Sequence, residues 1–148
     1  MENISIILGD ITQSPADAVV CAADAPDRCG VGQAVPDPEH PRVIRTRVPV
    51  WQGGGHGEAA LLRSCCLSCL ELALAHGYRT VDFPSIGTED CGFPLPQAAH
   101  VALKAMTDFL REHPDCGMAL RLVCRDAGTL RAYRVDWNMF YQDVKPHP

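Results

Sequence analysis

Short apolar runs that alternate with longer helical patterns constrain the fold of this chain more than any other feature. ISIIL (4–8) is a short run rich in β-branched residues, AVVCAA (18–23) is a second run, and both are typical of buried strands. RTVDFP (79–84) and ALRLVC (119–124) are two further strand candidates. Strands separated by helices form parallel or mixed sheets with helices packed against them. The pattern therefore predicts an α/β fold, with three α/β/α layers around a central mixed sheet.

The segment between residues 26 and 51 predicts a loop followed by one more strand. Pro26 to Pro41 is rich in proline, glycine and charge, so a loop is expected there. VIRTRVPVW (43–51) alternates, with Arg45 and Arg47 on one face of the predicted strand. The opposite face would carry Ile44, Thr46 and Val48.

Three helices are predicted between and after these strands. From Glu58 to His76 apolar residues recur every three or four positions, and Gly77 stands where a C-terminal cap is expected. A second helix has Pro96 in its first turn and ends before His113-Pro114. The third closes the chain, and its apolar face comprises Leu130, Tyr133, Trp137 and Phe140 or Tyr141.

Length and composition predict one soluble globular domain over residues 1–148. With 47% hydrophobic and 21% charged residues, the chain can bury a core. The formal net charge of −5 gives no reason to expect nonspecific binding to nucleic acid. No apolar run is long enough for a membrane span, and MENISIILGD lacks the pattern of a signal peptide. We therefore expect a cytoplasmic protein with reduced cysteines.

The cluster SCCLSC (64–69) is a candidate metal site, and the sequence favours a different role. Cys65 and Cys69 are four residues apart and so share one helix face, where thiols pack as small hydrophobes. Zinc needs four ligands, whereas the other cysteines are scattered singly. His56 and Glu58 in GGGHGE also provide too few ligands. The sequence predicts buried helix packing, with no metal and no cofactor.

Three loops at the carboxyl ends of predicted strands are the expected ligand site of such a sheet: residues 9–14, 24–35 and 84–94. Their sequences resemble the macrodomain family. GDIT (9–12), DAVVCAAD (17–24) and GVGQAV (30–35) are similar to the opening of that family, and PSIGTEDCGFP (84–94) is similar to its second loop. The order and spacing of these blocks match over most of residues 4–126.

The resemblance implies a site for ADP-ribose, which macrodomains bind. Asp10 would accept a hydrogen bond from the adenine amine, with Ile11 beside it, and Gly30 and Val31 would form the first phosphate loop. Backbone N–H groups in such loops suit an anion. Taken alone, these residues are common in turns, where Asp10 would only cap a turn and the glycines would only bend the chain. The second, diphosphate-binding loop implied by the resemblance comprises Ile86, Gly87, Thr88, Glu89, Asp90, Cys91, Gly92 and Phe93.

Several residues depart from the family pattern on the ligand side. Cys91 replaces a frequent aromatic residue, and Arg125 lies near the position that covers adenine, where its guanidinium would stack or remain solvated surface. Asp24 replaces the second asparagine of the V-N-A-A-N strand end, and Gly32 stands where the hydrolytic subgroup has aspartate. Asp24 is thus the one catalytic candidate, with strand capping as the alternative. Macrodomains usually have a strand and a helix between the first loop and the segment at residue 48. In this sequence the connecting segment leaves little room for them.

Three functional hypotheses follow from the resemblance. The first is binding of ADP-ribose or a related nucleotide with altered affinity. The second is a divergent macrodomain that has lost this ligand and has another ligand or an interaction role. The third is a hydrolase of ADP-ribosyl esters or ADP-ribose phosphate that uses Asp24. A small molecule is therefore the expected partner, with no nucleic acid and no membrane.

Replacing Glu89 by glycine is predicted to tighten ADP-ribose binding. Glu89 stands in a glycine position, where it adds a carboxylate beside the diphosphate. At ~5 Å and an effective dielectric constant near 20, one phosphate charge repels it by about 3 kcal/mol, and rotation of the side chain into water reduces this. Calorimetry of the wild type and Glu89→Gly measures the change. Equal or weaker affinity in the variant would show that Glu89 points away from the phosphates.

Overall fold

The computed structural model describes residues 3–23, 29–88 and 91–141. In these residues six strands and three α-helices alternate along the chain, with a short 3-10 helix at Ile11–Gln13 after the first strand. The strands are β1 (Ile4–Leu8), β2 (Ala18–Ala23), β3 (Ala34–Pro36), β4 (Val43–Arg47), β5 (Thr80–Phe83) and β6 (Ala119–Cys124). The helices are α1 (Glu58–Ala75), α2 (Leu95–Glu112) and α3 (Ala127–Phe140).

The strands form one mixed sheet in the order β1-β6-β5-β2-β4-β3. All neighbours from β1 to β4 are parallel, and only β3 runs antiparallel, against β4. The predicted α/β class with a central mixed sheet is confirmed. Because β1, β6 and β5 are parallel neighbours, the residues that follow their last positions meet at one edge of the sheet.

The loop predicted from Pro26 to Pro41 was wrong in part, because it contains β3. Ala34–Pro36 pairs with residues 44–46 of β4. Asp37 ends the strand, where its N–H donates to the carbonyl of Val43 (2.8 Å) and its carboxylate accepts from Arg45 Nε (2.7 Å). The strand is short and lies at the edge of the sheet, where a proline is tolerated.

The three α-helices pack against one face of the sheet. Alternate strand residues such as Val20, Phe83 and Leu122 belong to one buried cluster that also contains side chains from α1, α2 and α3. The cysteines of α1 lie in this cluster and are fully buried: Cys65, Cys66 and Cys69. The predicted packing role of the cysteine cluster is confirmed. No helix in the described part of the chain is long and apolar enough to span a membrane.

The crossover from β1 to β2, which includes the 3-10 helix, contacts the other face of the sheet. Ser14 Oγ donates to Asp82 Oδ2 (2.6 Å), and Arg121 on the neighbouring strand binds both oxygens of this buried carboxylate (2.6 and 2.9 Å). Burial opposes ionisation of Asp82, but the hydrogen bonds from Arg121 and Ser14 outweigh it and lower its pKa. Arg42 donates to two carbonyls of the same crossover. The crossover is therefore fixed to the sheet by charged hydrogen bonds.

Replacing Arg121 by alanine is predicted to lower the free energy of unfolding by about 3 kcal/mol, because a buried carboxylate loses its counter-charge. Arg131 is exposed on α3 and provides the control. Arg131→Ala should change the free energy of unfolding by less than about 0.5 kcal/mol. Urea unfolding of both variants measures the difference, and equal losses would contradict a structural role for the Asp82–Arg121 pair.

Candidate functional site

A cavity of about 480 Å³ lies at the edge of the sheet where β1, β5 and β6 end. Ligands bind at this edge in open α/β sheets, because loops rather than strands face the solvent there. The lining residues come directly after these three strands or end them: Gly9, Asp10, Ile11, Thr12, Pro84, Ser85, Val123 and Arg125. The structure thus brings together Asp10, Ile11 and Arg125, which the sequence analysis had proposed from separate blocks.

Asp10 provides an anionic acceptor in this cavity. Its Oδ1 accepts from the N–H (3.0 Å) and the hydroxyl (2.7 Å) of Thr12, and so caps the 3-10 helix. The hydroxyl bond, and then the N–H bond, keep the pKa of Asp10 below its usual value, with a smaller contribution from the charge of Arg125. Both bonds use Oδ1. The residue is exposed, so Oδ2 can accept a further hydrogen bond from a ligand.

The start of the second loop has a fixed backbone. Gly87 has φ 84°, which favours glycine, and a Cβ there would lie 3.0 Å from Cδ1 of Phe93. The carbonyl of Gly87 accepts from the N–H of Phe93 (3.0 Å), which closes the loop. Ile86, Cys91 and Phe93 point into the hydrophobic core, so they can reach a ligand only through their backbones. Gly92 is exposed, and Glu89 and Asp90 lie outside the described residues.

The described part of the first loop, residues 29–35, does not line the same cavity. The N–H of Gly30 donates to Gln33 Oε1 (3.0 Å), and Val31 forms a parallel bridge with Arg47. A ligand would have to displace the Gln33 side chain to reach the Gly30 N–H. Asp24, the proposed catalytic residue, lies outside the described residues.

The backbone conformation at Gly32 favours glycine, and a side chain there would crowd Ser64. The φ of Gly32 is 84°, and a Cβ would lie 3.1 Å from Ser64 Oγ. Ser64 and Ser68 of α1 both donate to its carbonyl (2.9 Å each). The position where the hydrolytic subgroup has aspartate is therefore filled here by a close approach of the loop to α1.

Glu58 holds the glycine-rich connection 52–57, a role that the sequence analysis missed. The expected helix N-terminal position is confirmed, but the carboxylate is buried and accepts from the N–H groups of Gln52 (2.8 Å), Gly54 (3.1 Å) and His56 (2.7 Å). Burial raises its pKa, but these backbone donors outweigh burial and lower it to about 2. Trp51 directly precedes this connection. Its ring contacts Phe93 (ring centroids 5.1 Å), and its backbone N–H donates to the Cys91 carbonyl (2.8 Å). Glu58 therefore supports the second loop indirectly, through the connection that follows Trp51.

Metal ligation has no basis in the geometry of the described ranges. They hold no group of three or more His, Cys, Asp or Glu side chains that could bind a metal ion. His56 Nδ1 lies 3.9 Å from Glu58 Oε2, and these two side chains alone are too few to hold a metal ion.

Sequence reasoning did not single out Thr12 or Ser85 as site residues. Both stand within quoted motifs, GDIT and PSIG, and follow strands whose ends meet at the cavity. Their position directly after parallel strands was the available signal. Sequence alone could not show that β1 and β5 lie on either side of β6.

Comparison with known proteins gives a consistent family assignment. The family model for the Macro domain matches residues 19–102, which is more than half of the chain. The O-acetyl-ADP-ribose deacetylase of Salmonella gallinarum is 34% identical over 167 aligned positions, which cover 88% of this chain and 92% of that protein. An alignment longer than the chain itself contains gaps in this chain, which agrees with the short segment before β4. The enzyme of the same name from Citrobacter koseri is 44% identical over 93 residues, and the match spans 62% of this chain and about half (51%) of that protein.

Solved structures show the same fold. The Oceanobacillus iheyensis macrodomain with ADP superposes with a TM-score of 0.82 at 20% identity, covering 93% of this chain and 92% of that one. A Trypanosoma brucei macrodomain in complex with ADP-ribose gives a TM-score of 0.76 at 24% identity, covering 90% of this chain and 68% of that one. At these identities the likeness establishes the fold alone, and it confirms the predicted fold class.

Replacing Glu58 by glutamine is predicted to destabilise the protein at pH 7, because an amide presents N–H groups to the backbone donors. With a folded pKa of about 2 and an ordinary value of 4.5, the carboxylate stabilises the fold above pH 4.5, and this contribution is lost as the pH falls toward 2. The difference in melting temperature between wild type and variant should therefore be larger at pH 7 than at pH 3. Glu71→Gln, an exposed position on α1, should show no difference at either pH. Equal melting temperatures of wild type and Glu58→Gln at pH 7 would contradict the role.

Proposed function

Because the chain belongs to the macrodomain family, we propose that it binds ADP-ribose or a closely related nucleotide in the cavity at the ends of β1, β5 and β6. One observation carries this proposal. Asp10, Ile11 and Arg125 share that cavity with the first residues of the second loop. The proteins similar to it support the ligand class, since they include O-acetyl-ADP-ribose deacetylases and a macrodomain in complex with ADP-ribose.

The chemistry of the cavity suits an adenine at one end. Asp10 remains ionised and offers Oδ2 to the exocyclic amine. Ile11, Pro84 and Val123 provide apolar walls for the ring, and the Arg125 guanidinium can stack on its face. The diphosphate then extends over the backbone of residues 86–88, whose N–H groups provide uncharged donors. Gly30, Val31 and the backbones of Cys91, Gly92 and Phe93 complete the proposed site.

We expect the affinity to be lower than in a macrodomain with glycine at position 89. Glu89 and Asp90 add negative charge to the loop that would approach the diphosphate. The first loop offers fewer backbone N–H groups to a phosphate than the family pattern does, because the Gly30 N–H donates to Gln33 Oε1. Arg125 offsets the acids in part, through its position in the cavity.

Hydrolysis of an ADP-ribosyl ester is the second candidate, favoured by the relatives that are named O-acetyl-ADP-ribose deacetylase. Asp24 is the residue we propose as its base. The matching aspartate is replaced by Gly32, where φ is 84° and a Cβ would lie 3.1 Å from Ser64 Oγ. One carboxylate without its partner is a weak general base. Binding therefore ranks above hydrolysis.

We further propose that residues 1–148 act as one domain in the cytoplasm. All eight cysteines are free thiols, which is typical of a reducing compartment. The acidic charge of the chain supports a small-molecule partner rather than nucleic acid.

Calorimetry of ADP-ribose with Asp10→Ala tests the proposal. The variant should bind about tenfold more weakly than the wild type, because the adenine amine loses an ionised acceptor. Asp115→Ala removes an exposed carboxylate far from the cavity and should leave the affinity unchanged. No heat with the wild type at millimolar ADP-ribose would favour the lost-ligand alternative. Equal affinity of wild type and Asp10→Ala would remove Asp10 from the site.

A further inference from the structure

Hydrogen bonds connect three hydroxyl groups between the buried face of α3 and the proposed nucleotide cavity. The phenol of Tyr133 lies 3.0 Å from Ser85 Oγ, and Thr88 Oγ1 donates to Ser85 Oγ (2.9 Å) and more weakly to the Ser85 carbonyl (3.2 Å). Tyr133 is fully buried, whereas Ser85 is half-buried and lines the cavity. Ser85 is thus the point at which a buried polar network reaches the ligand.

The direction of the Tyr133 hydrogen bond follows from its burial. Burial raises the pKa of Tyr133, so the phenol keeps its proton at neutral pH and has one O–H to donate. Ser85 Oγ is the partner that the described residues provide for it. A buried hydroxyl donor without an acceptor is unfavourable, so the proton of Tyr133 points to Ser85 Oγ.

Ser85 Oγ therefore accepts two hydrogen bonds and keeps its own proton for a third partner. A serine hydroxyl has two acceptor lone pairs and one donor. Tyr133 and Thr88 occupy the acceptor positions, so the remaining O–H is left for the cavity that Ser85 shares with Asp10 and Arg125. Because both partners hold the oxygen, the hydroxyl is preorganised rather than free to rotate.

We infer that Ser85 is a ligand-binding residue that donates a hydrogen bond to an oxygen of the adenosine 5′-phosphate part of the nucleotide, and that Tyr133 is its positioning residue. This inference rests on the proposed function and deepens it. Ser85 lines the same cavity as Asp10, the proposed adenine acceptor, and directly precedes residues 86–88, whose backbone N–H groups are the proposed diphosphate donors. The ribose and the first phosphate connect these two parts of the ligand, and both carry acceptor oxygens. Ser85 thus selects a nucleotide over a free base.

The test is a double-mutant cycle measured by calorimetry with ADP-ribose and with adenosine 5′-monophosphate. Ser85→Ala should weaken the binding of both ligands about tenfold, the effect of one lost hydrogen bond to a charged or polar oxygen. Tyr133→Phe leaves the cavity lining unchanged and should weaken binding by a smaller factor of about three, because the Ser85 hydroxyl loses one of the two partners that fix its direction. The double variant should match Ser85→Ala alone, since Tyr133 acts only through Ser85.

Tyr78→Phe is the matched control. Tyr78 lies just before β5, at the opposite end of this strand from the cavity. Its hydroxyl donates to the carbonyl of Pro41 (3.4 Å). This variant should bind both ligands like the wild type. Thermal unfolding of each variant establishes that it is folded, and the non-additivity of the cycle is a result that a general loss of stability would not produce.

The outcomes separate this inference from the proposed function. If wild type binds ADP-ribose and Ser85→Ala binds it equally well, the function stands and the role of Ser85 is overturned. If wild type binds only the monophosphate and Ser85→Ala weakens that binding, the proposed ligand is wrong and the role of Ser85 stands. If neither ligand binds, both are overturned. Additive losses in the double variant would overturn the positioning role of Tyr133.

Discussion

The parallel arrangement of β1, β6 and β5 is the constraint on which the site depends. Parallel neighbours end at the same edge of a sheet, so three loops that are far apart in sequence converge there. The loop after β1 brings Asp10, the loop after β5 brings Ser85, and the end of β6 brings Arg125. Each loop brings only part of the proposed site. The sheet order creates it.

Three carboxylates illustrate how position decides the role of an acid in this fold. Asp82 is buried and paired with Arg121, so it fixes the β1–β2 crossover, which also carries Asp10. Glu58 is buried and surrounded by backbone N–H groups, so it fixes the connection that supports the second loop. Asp10 also accepts hydrogen bonds, but it is exposed and uses only one oxygen for them. The two buried acids are structural, and the exposed one is chemically available.

Patterns local in sequence predicted most of the fold, and contacts distant in sequence explain what was missed. The strands β1, β2 and β6 match their predicted runs because a short, mostly apolar run can be recognised without knowing its partner. β3 was missed because a three-residue segment that ends in Pro36 forms a strand only by pairing with β4. Glu58 looked like an ordinary helix N-terminal acid, since no pattern shows that a glycine-rich connection folds over it. The Ser85–Tyr133 contact joins residues 48 positions apart, and nothing in either local sequence indicates it. The roles of Asp24, Glu89 and Asp90 stay predictions from the family resemblance.

Binding of a nucleotide diphosphate at the carboxyl ends of β1, β5 and β6 can be tested by backbone amide shifts of the ¹⁵N-labelled protein during titration with ADP-ribose, because these shifts locate the ligand without a substitution. If the ligand binds there, the amides of β3 should shift little, and the largest shifts should occur at Gly9, Ile11, Thr12, Ser85, Gly87 and Thr88. Shifts confined to other surfaces, or none at millimolar ADP-ribose, would contradict it.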